Sequence, residues 1–317
     1  MITAAVLTMC GTAPVLAQRP APVPGDDDLT VAVAAVPITP LDLLCASGKS
    51  YFGTPVTPYV PGVQGVGRLA DGSPVWFATP AGMRPGDGSM ATVVTVPAAD
   101  VVRLPDDVPL ELISALGLSA MAAQAALYRA GDLAAGEHVV VLGAGGVVGQ
   151  AAVQLARLGG ARRVIAVARG AESLARAAEL GADAIVPLLP DGFEQRLRAA
   201  ADGPVDLILD PIFGAPAATA LRVLRPGGRL VNLGSSAGAT APIDSATLRG
   251  GSLRIIGYTN NSLSAAERAE LLTGIARHAA AGRLTVDHEV VPFEQVTAAW
   301  ERQAAGLAHG RIVLTMG

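Results

Sequence analysis

The residues best placed to do chemistry lie in one short stretch. A β-branched run at 139–142 leads into Gly143, Ala144, Gly145, Gly146, Val147, Val148 and Gly149, and then into a segment with Val153, Leu155, Ala156 and Leu158 at helical spacing. Glycine tolerates backbone conformations closed to other residues, so three glycines three apart allow a sharp turn and a close approach to a ligand. The helix that follows points its free N–H groups and positive end at that turn. A strand, a glycine turn and a helix N-terminus together form a cradle for the pyrophosphate of a dinucleotide. A strict GxGxxG starting at Gly143 and Gly145 would need glycine where Val148 stands, so the pattern that fits is GxxGxxG through Gly143, Gly146 and Gly149. An ordinary tight turn accounts for the glycines alone; the flanking strand and amphipathic helix favour the nucleotide reading.

The surrounding sequence supplies elements to hold such a loop. From 137 onward, strand patterns at 139–142, 163–168, 184–186, 205–209, 229–233 and 253–256 alternate with helical patterns at 146–158, 172–180, 193–201 and 215–224. This alternation predicts an α/β doubly wound parallel sheet, the Rossmann arrangement. Before residue 110 the pattern differs, with short β runs at 4–7, 29–35, 65–69, 75–78 and 91–96 broken by Pro and Gly, as in an irregular, partly barrel-like β domain. A helix at 264–281 leads to strands near 286–291 and 311–314 that return to that first domain. The expected domains are therefore 1–118 with 282–317, and an inserted nucleotide domain at 119–281, with a ligand cleft expected where two domains share an interface.

Composition excludes several classes of function. The 317 residues carry a net charge of −4 and no Lys/Arg cluster, which argues against nucleic acid as a partner. Cys10 and Cys45 are the only cysteines, too few for a disulfide framework or a four-cysteine metal site, and consistent with the cytoplasm. Residues 1–18 lack a basic start and are broken by Thr8, Gly11 and Pro14, so they read as a β-hairpin rather than a signal peptide. The apolar run at 139–156 is interrupted by glycines and by Gln150 and Gln154, a poor membrane span. No Ser-His-Asp order, paired carboxylates or activated cysteine offers a competing catalytic centre.

Further landmarks occur in order: the opening run 1–7, Thr39-Pro40-Leu41-Asp42, Pro61-Gly62, Ala135-Gly136-Glu137-His138-Val139, Leu180-Gly181-Ala182-Asp183, the run 206–210, Leu224-Arg225-Pro226-Gly227-Gly228 and Gly310-Arg311-Ile312. Together with the glycine loop they resemble the medium-chain dehydrogenase/reductase superfamily, in its zinc-independent quinone oxidoreductase-like branch, over nearly the whole chain. The resemblance implies a Rossmann sheet inserted into a GroES-like β domain and a homodimer, here through the edge strand 253–256. It also implies hydride transfer from a nicotinamide to a quinone or α,β-unsaturated carbonyl. An enoyl-thioester or imine reductase, or an NADPH-binding sensor or crystallin-like protein, would use the same scaffold. In zinc-dependent members a Cys and a His-Glu pair serve the metal; Thr39 and Val63-Gln64 stand at those positions, so no metal is expected.

By the same resemblance the end of the second nucleotide strand selects the coenzyme. An acidic residue there would favour NAD; Ala168 stands instead, followed by Arg169, whose guanidinium suits a 2′-phosphate, with Ser173 close behind. NADPH is therefore expected. Leu233, Gly234 and Ser235 are expected beside the nicotinamide, and Tyr258 opens a segment near it. Thr39, in place of the family's Asn, and Tyr51 are the candidate donors to the substrate oxygen, with Tyr59 competing for the tyrosine's role. Asp42 is read as the cap of a helix over 43–46.

Overall fold

Proline and glycine punctuation keeps the first strands short, and a computed structural model, which describes residues 1–317, shows how they pair. The chain forms two units, 1–117 with 263–317, and 118–262. In the first unit, β1 (Ile2–Val6) and β2 (Val15–Arg19) form the expected N-terminal hairpin. Then follow β3 (Asp28–Pro37), α1 (Pro40–Ala46), β4 (Gln64–Arg68), β5 (Pro74–Ala78), β6 (Val93–Pro97) and β7 (Val101–Arg103). A longer helix, α2 (Leu110–Ala125), carries the chain from one unit into the other. It breaks at Gly117, where φ is 23° and ψ −123°, and a Cβ there would lie 2.7 Å from Gln64 Cδ. Residues Leu110–Ala130 are the one helical stretch long and apolar enough to cross a membrane, and two-thirds of it (67%) is buried, as in a core helix.

The second unit is built from β8 (His138–Leu142), α3 (Val147–Leu158), β9 (Arg163–Ala168), α4 (Ala171–Glu179), β10 (Ala184–Pro187), α5 (Phe193–Ala201), β11 (Val205–Asp210), α6 (Gly214–Leu221), β12 (Leu224–Asn232), α7 (Ser245–Gly251) and β13 (Arg254–Gly257). Its six strands are ordered β10-β9-β8-β11-β12-β13 with every neighbouring pair parallel. Counted within the unit this is 3-2-1-4-5-6, the doubly wound order, whose reversal lies between β8 and β11. Strand β8 is buried along its whole length, as a central parallel strand must be. Below the sheet Arg229 is buried and donates to both Glu137 oxygens, at 2.7 and 2.6 Å, and to Asp132 O. This bidentate pair joins the start of β8 to β12.

The chain returns to the first unit through α8 (Ala265–Ala280), β14 (His288–Pro292), α9 (Val296–Ala304) and β15 (Arg311–Thr315). The order β14-β15-β3-β4-β5-β7, with β6 paired to β3, makes the mixed β domain expected from the N-terminal pattern. Three sequence expectations need correction. Helix α8 falls in the first unit rather than the nucleotide unit, because it buries Leu271, Leu272 and Ile275 there and Arg268 pairs with Asp100 just before β7. The helix expected to reach residue 224 stops at Leu221, because Leu224 already pairs with Val205 and β12 begins. The first helix starts at Pro40, not 43, for a reason that lies in its cap.

Candidate functional site

Each glycine of the turn after β8 answers a different constraint. Gly143 has φ 65°, and a Cβ there would press 2.8 Å from Ile212 Cγ2, so both the turn and the neighbouring segment demand its absence. At Gly149 a Cβ would overlap the Gly143 carbonyl oxygen and sit 2.6 Å from Ala144 Cα; glycine lets α3 lie directly against the turn. Gly145 faces Ser173, whose Cβ would be 2.7 Å away. Gly146 differs: it is the N-cap of α3, and the nearest atom to a Cβ would be Gly143 O at an ordinary 3.7 Å. Nothing in the protein requires glycine there. Its missing side chain leaves the backbone at the uncapped start of α3 open, a surface that a pyrophosphate could approach. Hydrogen bonds from Ala144 N to Val167 O and from Gly146 N to Gly143 O hold the turn on the end of β9.

The same turn gathers the residues read as coenzyme-selective. A Cβ on Gly145 would be 4.0 Å from Ala168 Cβ, so the end of β9 and the first turn of α4 border the glycines. Ala168 is buried, Ser173 half-buried and Arg169 exposed. Arg169 makes no hydrogen bond or ion pair within the protein, leaving its guanidinium free beside the turn. The end of β9 is further fixed by a hydrogen bond from Leu188 N to Ala168 O at 2.8 Å.

On the other side of the switch point, Leu233 N donates to Asp210 O, and a Cβ on Gly234 would overlap Pro211 O. Ser235 is exposed. Pro211 also lies 3.3 Å from the Cβ position of Gly143, so the glycine turn and the loop 233–235 meet on one segment, 211–213. Tyr258 is held by its own strand end: its N–H donates to Asn232 O, and its hydroxyl donates to Asn260 Oδ1 at 2.9 Å. Two residues not singled out from the sequence, Asp210 and Asn232, organise this region. The available signal was an acidic residue closing the otherwise apolar run Leu207-Ile208-Leu209.

The two donor candidates belong to the first unit, and they differ. Thr39, buried, is the N-cap of α1: its Oγ1 accepts from Asp42 N at 3.2 Å and donates to Asp42 Oδ2 at 2.6 Å. The Thr39 hydroxyl is thus engaged with Asp42 rather than free. This corrects the cap: Asp42 is the third residue of a capping box that Thr39 opens, and so the helix starts at Pro40. Asp42 further accepts from Thr39 N and Val63 N. Burial pushes its carboxyl above the usual range, opposed by these bonds and by the charge of Arg311; burial in turn lowers the Arg311 guanidinium to about 10. Tyr51 is 77% exposed, its ring 4.2 Å from that of Phe52, and its hydroxyl is free. Tyr59 is buried, and burial drives its phenol well above the ordinary range. At the positions corresponding to a metal-binding His-Glu, Gln64 accepts from Trp76 Nε1 at 3.0 Å, and no three His, Cys, Asp or Glu side chains converge anywhere.

Comparison with known proteins agrees with this geometry. Residues 147–276 match the family model of the zinc-binding dehydrogenases, a segment that here contains no Cys or His. The chain is 28% identical over 316 residues to a phenolphthiocerol/phthiocerol polyketide synthase of Mycobacterium tuberculosis, covering 92% of this chain but 14% of that protein. It is 29% identical over 238 residues to bovine (Bos taurus) prostaglandin reductase-3, covering 74% of this chain and 62% of the relative. The chain thus spans less than two-thirds of these relatives. The crystal structure of the quinone oxidoreductase from Thermus thermophilus, also determined with NADPH, superposes with a TM-score of 0.80 at 29% identity, over 99% of each chain. These similarities support the medium-chain dehydrogenase/reductase superfamily, in its quinone oxidoreductase-like branch, as the family that this chain resembles.

Proposed function

We propose that the protein is an NADPH-dependent, zinc-independent reductase of a quinone or α,β-unsaturated carbonyl. The observation that carries this reading is the glycine turn 143–149 at the start of α3, where Gly146 leaves the backbone open to a ligand, beside an unpartnered Arg169 and Ser173 suited to a 2′-phosphate. Bound NADPH supplies a hydride at the nicotinamide. The chain's own work is to seat the pyrophosphate on 143–149, to hold the phosphorylated ribose with Arg169 and Ser173, and to border the nicotinamide with Leu233, Gly234 and Ser235. Tyr258 supports that border through the backbone of Asn232. With Thr39 committed to its cap, the donor to the developing enolate or phenolate is assigned to Tyr51, whose hydroxyl is free. We read the protein as cytoplasmic, acting on a small molecule without nucleic acid or membrane. A homodimer would form through edge strand β13, where Ile255 is 39% exposed.

A panel of quinones, enones and unsaturated thioesters assayed with NADPH and NADH tests the reading; coenzyme that binds but is never oxidised would instead favour the sensor-like alternative. The similarity to a polyketide synthase over 92% of this chain supports a second reading, an enoyl-thioester reductase, and the thioesters in the panel separate the two. Arg169→Ala should lower the ratio of NADPH to NADH efficiency about tenfold or more, the loss of one charge-assisted contact, and steady-state kinetics with both coenzymes read it directly. Gly146→Ala is expected to leave stability within about 1 kcal/mol, because its φ is −84° and the protein offers no clash, while weakening NADPH binding. Thermal melts beside titration calorimetry check both halves of that statement.

A further inference from the structure

We propose that Asp210 is a positioning residue for the dinucleotide, its two carboxylate oxygens setting the spacing between the glycine turn after β8 and the loop after β12. The inference rests on the nucleotide reading above. Asp210 ends β11 at the reversal of the sheet and is fully buried, yet all its partners are neutral. Oδ1 accepts from Ile212 N at 3.0 Å and Phe213 N at 2.7 Å; Oδ2 accepts from Asn232 Nδ2 at 3.1 Å. The same Asn232 amide donates to Asp210 O at 3.1 Å and to Gly234 O at 2.7 Å.

The first arm fixes a turn that would not hold itself. Phe213 sits at φ 56°, ψ −153°, a region that non-glycine residues rarely occupy. Ala237 N donates to Ile212 O at 2.7 Å and ties the next loop to it. Ile212 then abuts Gly143, and Pro211 abuts both Gly143 and Gly234, so moving the turn moves both walls. The second arm reaches Gly234 through Asn232.

A buried carboxylate without a cation is expensive, and burial indeed holds Asp210 above the usual carboxylate range against its three donors. Asparagine would serve the first arm equally, since its Oδ1 can accept both N–H groups. It fails only at the second arm, where its own amide would face that of Asn232. The choice of Asp over Asn is therefore explained by the arm to Gly234.

The test is titration calorimetry of the full chain and its Asp210→Asn variant with NADPH and with adenosine 2′-monophosphate, which has no 5′-phosphate to reach the glycine turn and so reports on the Arg169 end. NADPH affinity should fall about tenfold, as for one lost hydrogen-bonded arm, while 2′-monophosphate affinity stays within about twofold. Asn232→Ala, which removes the amide without opposing two donors, should give the same split and decides the matter if Asp210→Asn does not fold. Equal weakening of both ligands, as a general loosening would give, overturns the proposal, and so does unchanged NADPH affinity. An unsubstituted protein that binds neither ligand overturns the nucleotide reading itself, an outcome visible before any variant is made.

Discussion

Asp42→Ala is expected to destabilise the protein by about 3–5 kcal/mol, the cost of removing one partner from a buried, charge-balanced site. The carboxylate is fully buried and receives Thr39 N at 2.7 Å, Thr39 Oγ1 at 2.6 Å and Val63 N at 2.9 Å. Its removal leaves those donors without an acceptor and takes away a negative charge that acts on the buried Arg311, which donates to Ile38 O at 2.9 Å. Losing a helix cap alone costs about 0.5–2 kcal/mol, so the size of the effect separates the two contributions. Urea denaturation of Asp42→Ala beside Asp42→Asn measures it. The asparagine variant, which keeps the shape and one acceptor, should fall between. A loss under about 1 kcal/mol for the alanine variant would mean that Arg311 needs no counter-charge.

Gly149→Ala should both destabilise the second unit, by about 1–3 kcal/mol or more, and abolish measurable NADPH binding. The added methyl would overlap the Gly143 carbonyl oxygen and lie 2.6 Å from Ala144 Cα, and both neighbours are backbone, which cannot swing aside as a side chain could. Helix α3 must move off the turn, and with it the N–H groups that would meet the pyrophosphate. The contrast with Gly146→Ala is the informative part: one alanine, three residues away on the same helix, is expected to spare the fold and lose the ligand. Melting curves and NADPH titrations of both variants, run together, distinguish a glycine needed by the protein from one needed by its ligand. Equal behaviour of the two would contradict the division of roles within the turn.

What the sequence made legible follows from the range of the forces involved. Strand and helix periodicities around Gly143–Gly149 depend on neighbouring residues, so the parallel sheet and its glycine turn could be read directly, and Ala168 and Ser173 came with them because βαβ spacing is nearly fixed. The start of α1 was misread although its signature, Thr-Pro-Leu-Asp, is local: a Thr three residues before an acid is a capping box, and Asp42 alone drew the assignment of the cap. Asp210 and Asn232 escaped for another reason. They stand 22 positions apart and become a pair only because β11 and β12 lie side by side, which places Asp210 opposite Asn232. The membership of α8 was equally hidden, since its partner Asp100 is 168 residues away.

The bond from Asn260 Nδ2 to Leu118 O, at 2.9 Å, fastens the last turn of the nucleotide unit to its first residue. Entrance and exit of the inserted segment therefore share one doorway, and the β domain is interrupted at a single point rather than at two distant ones.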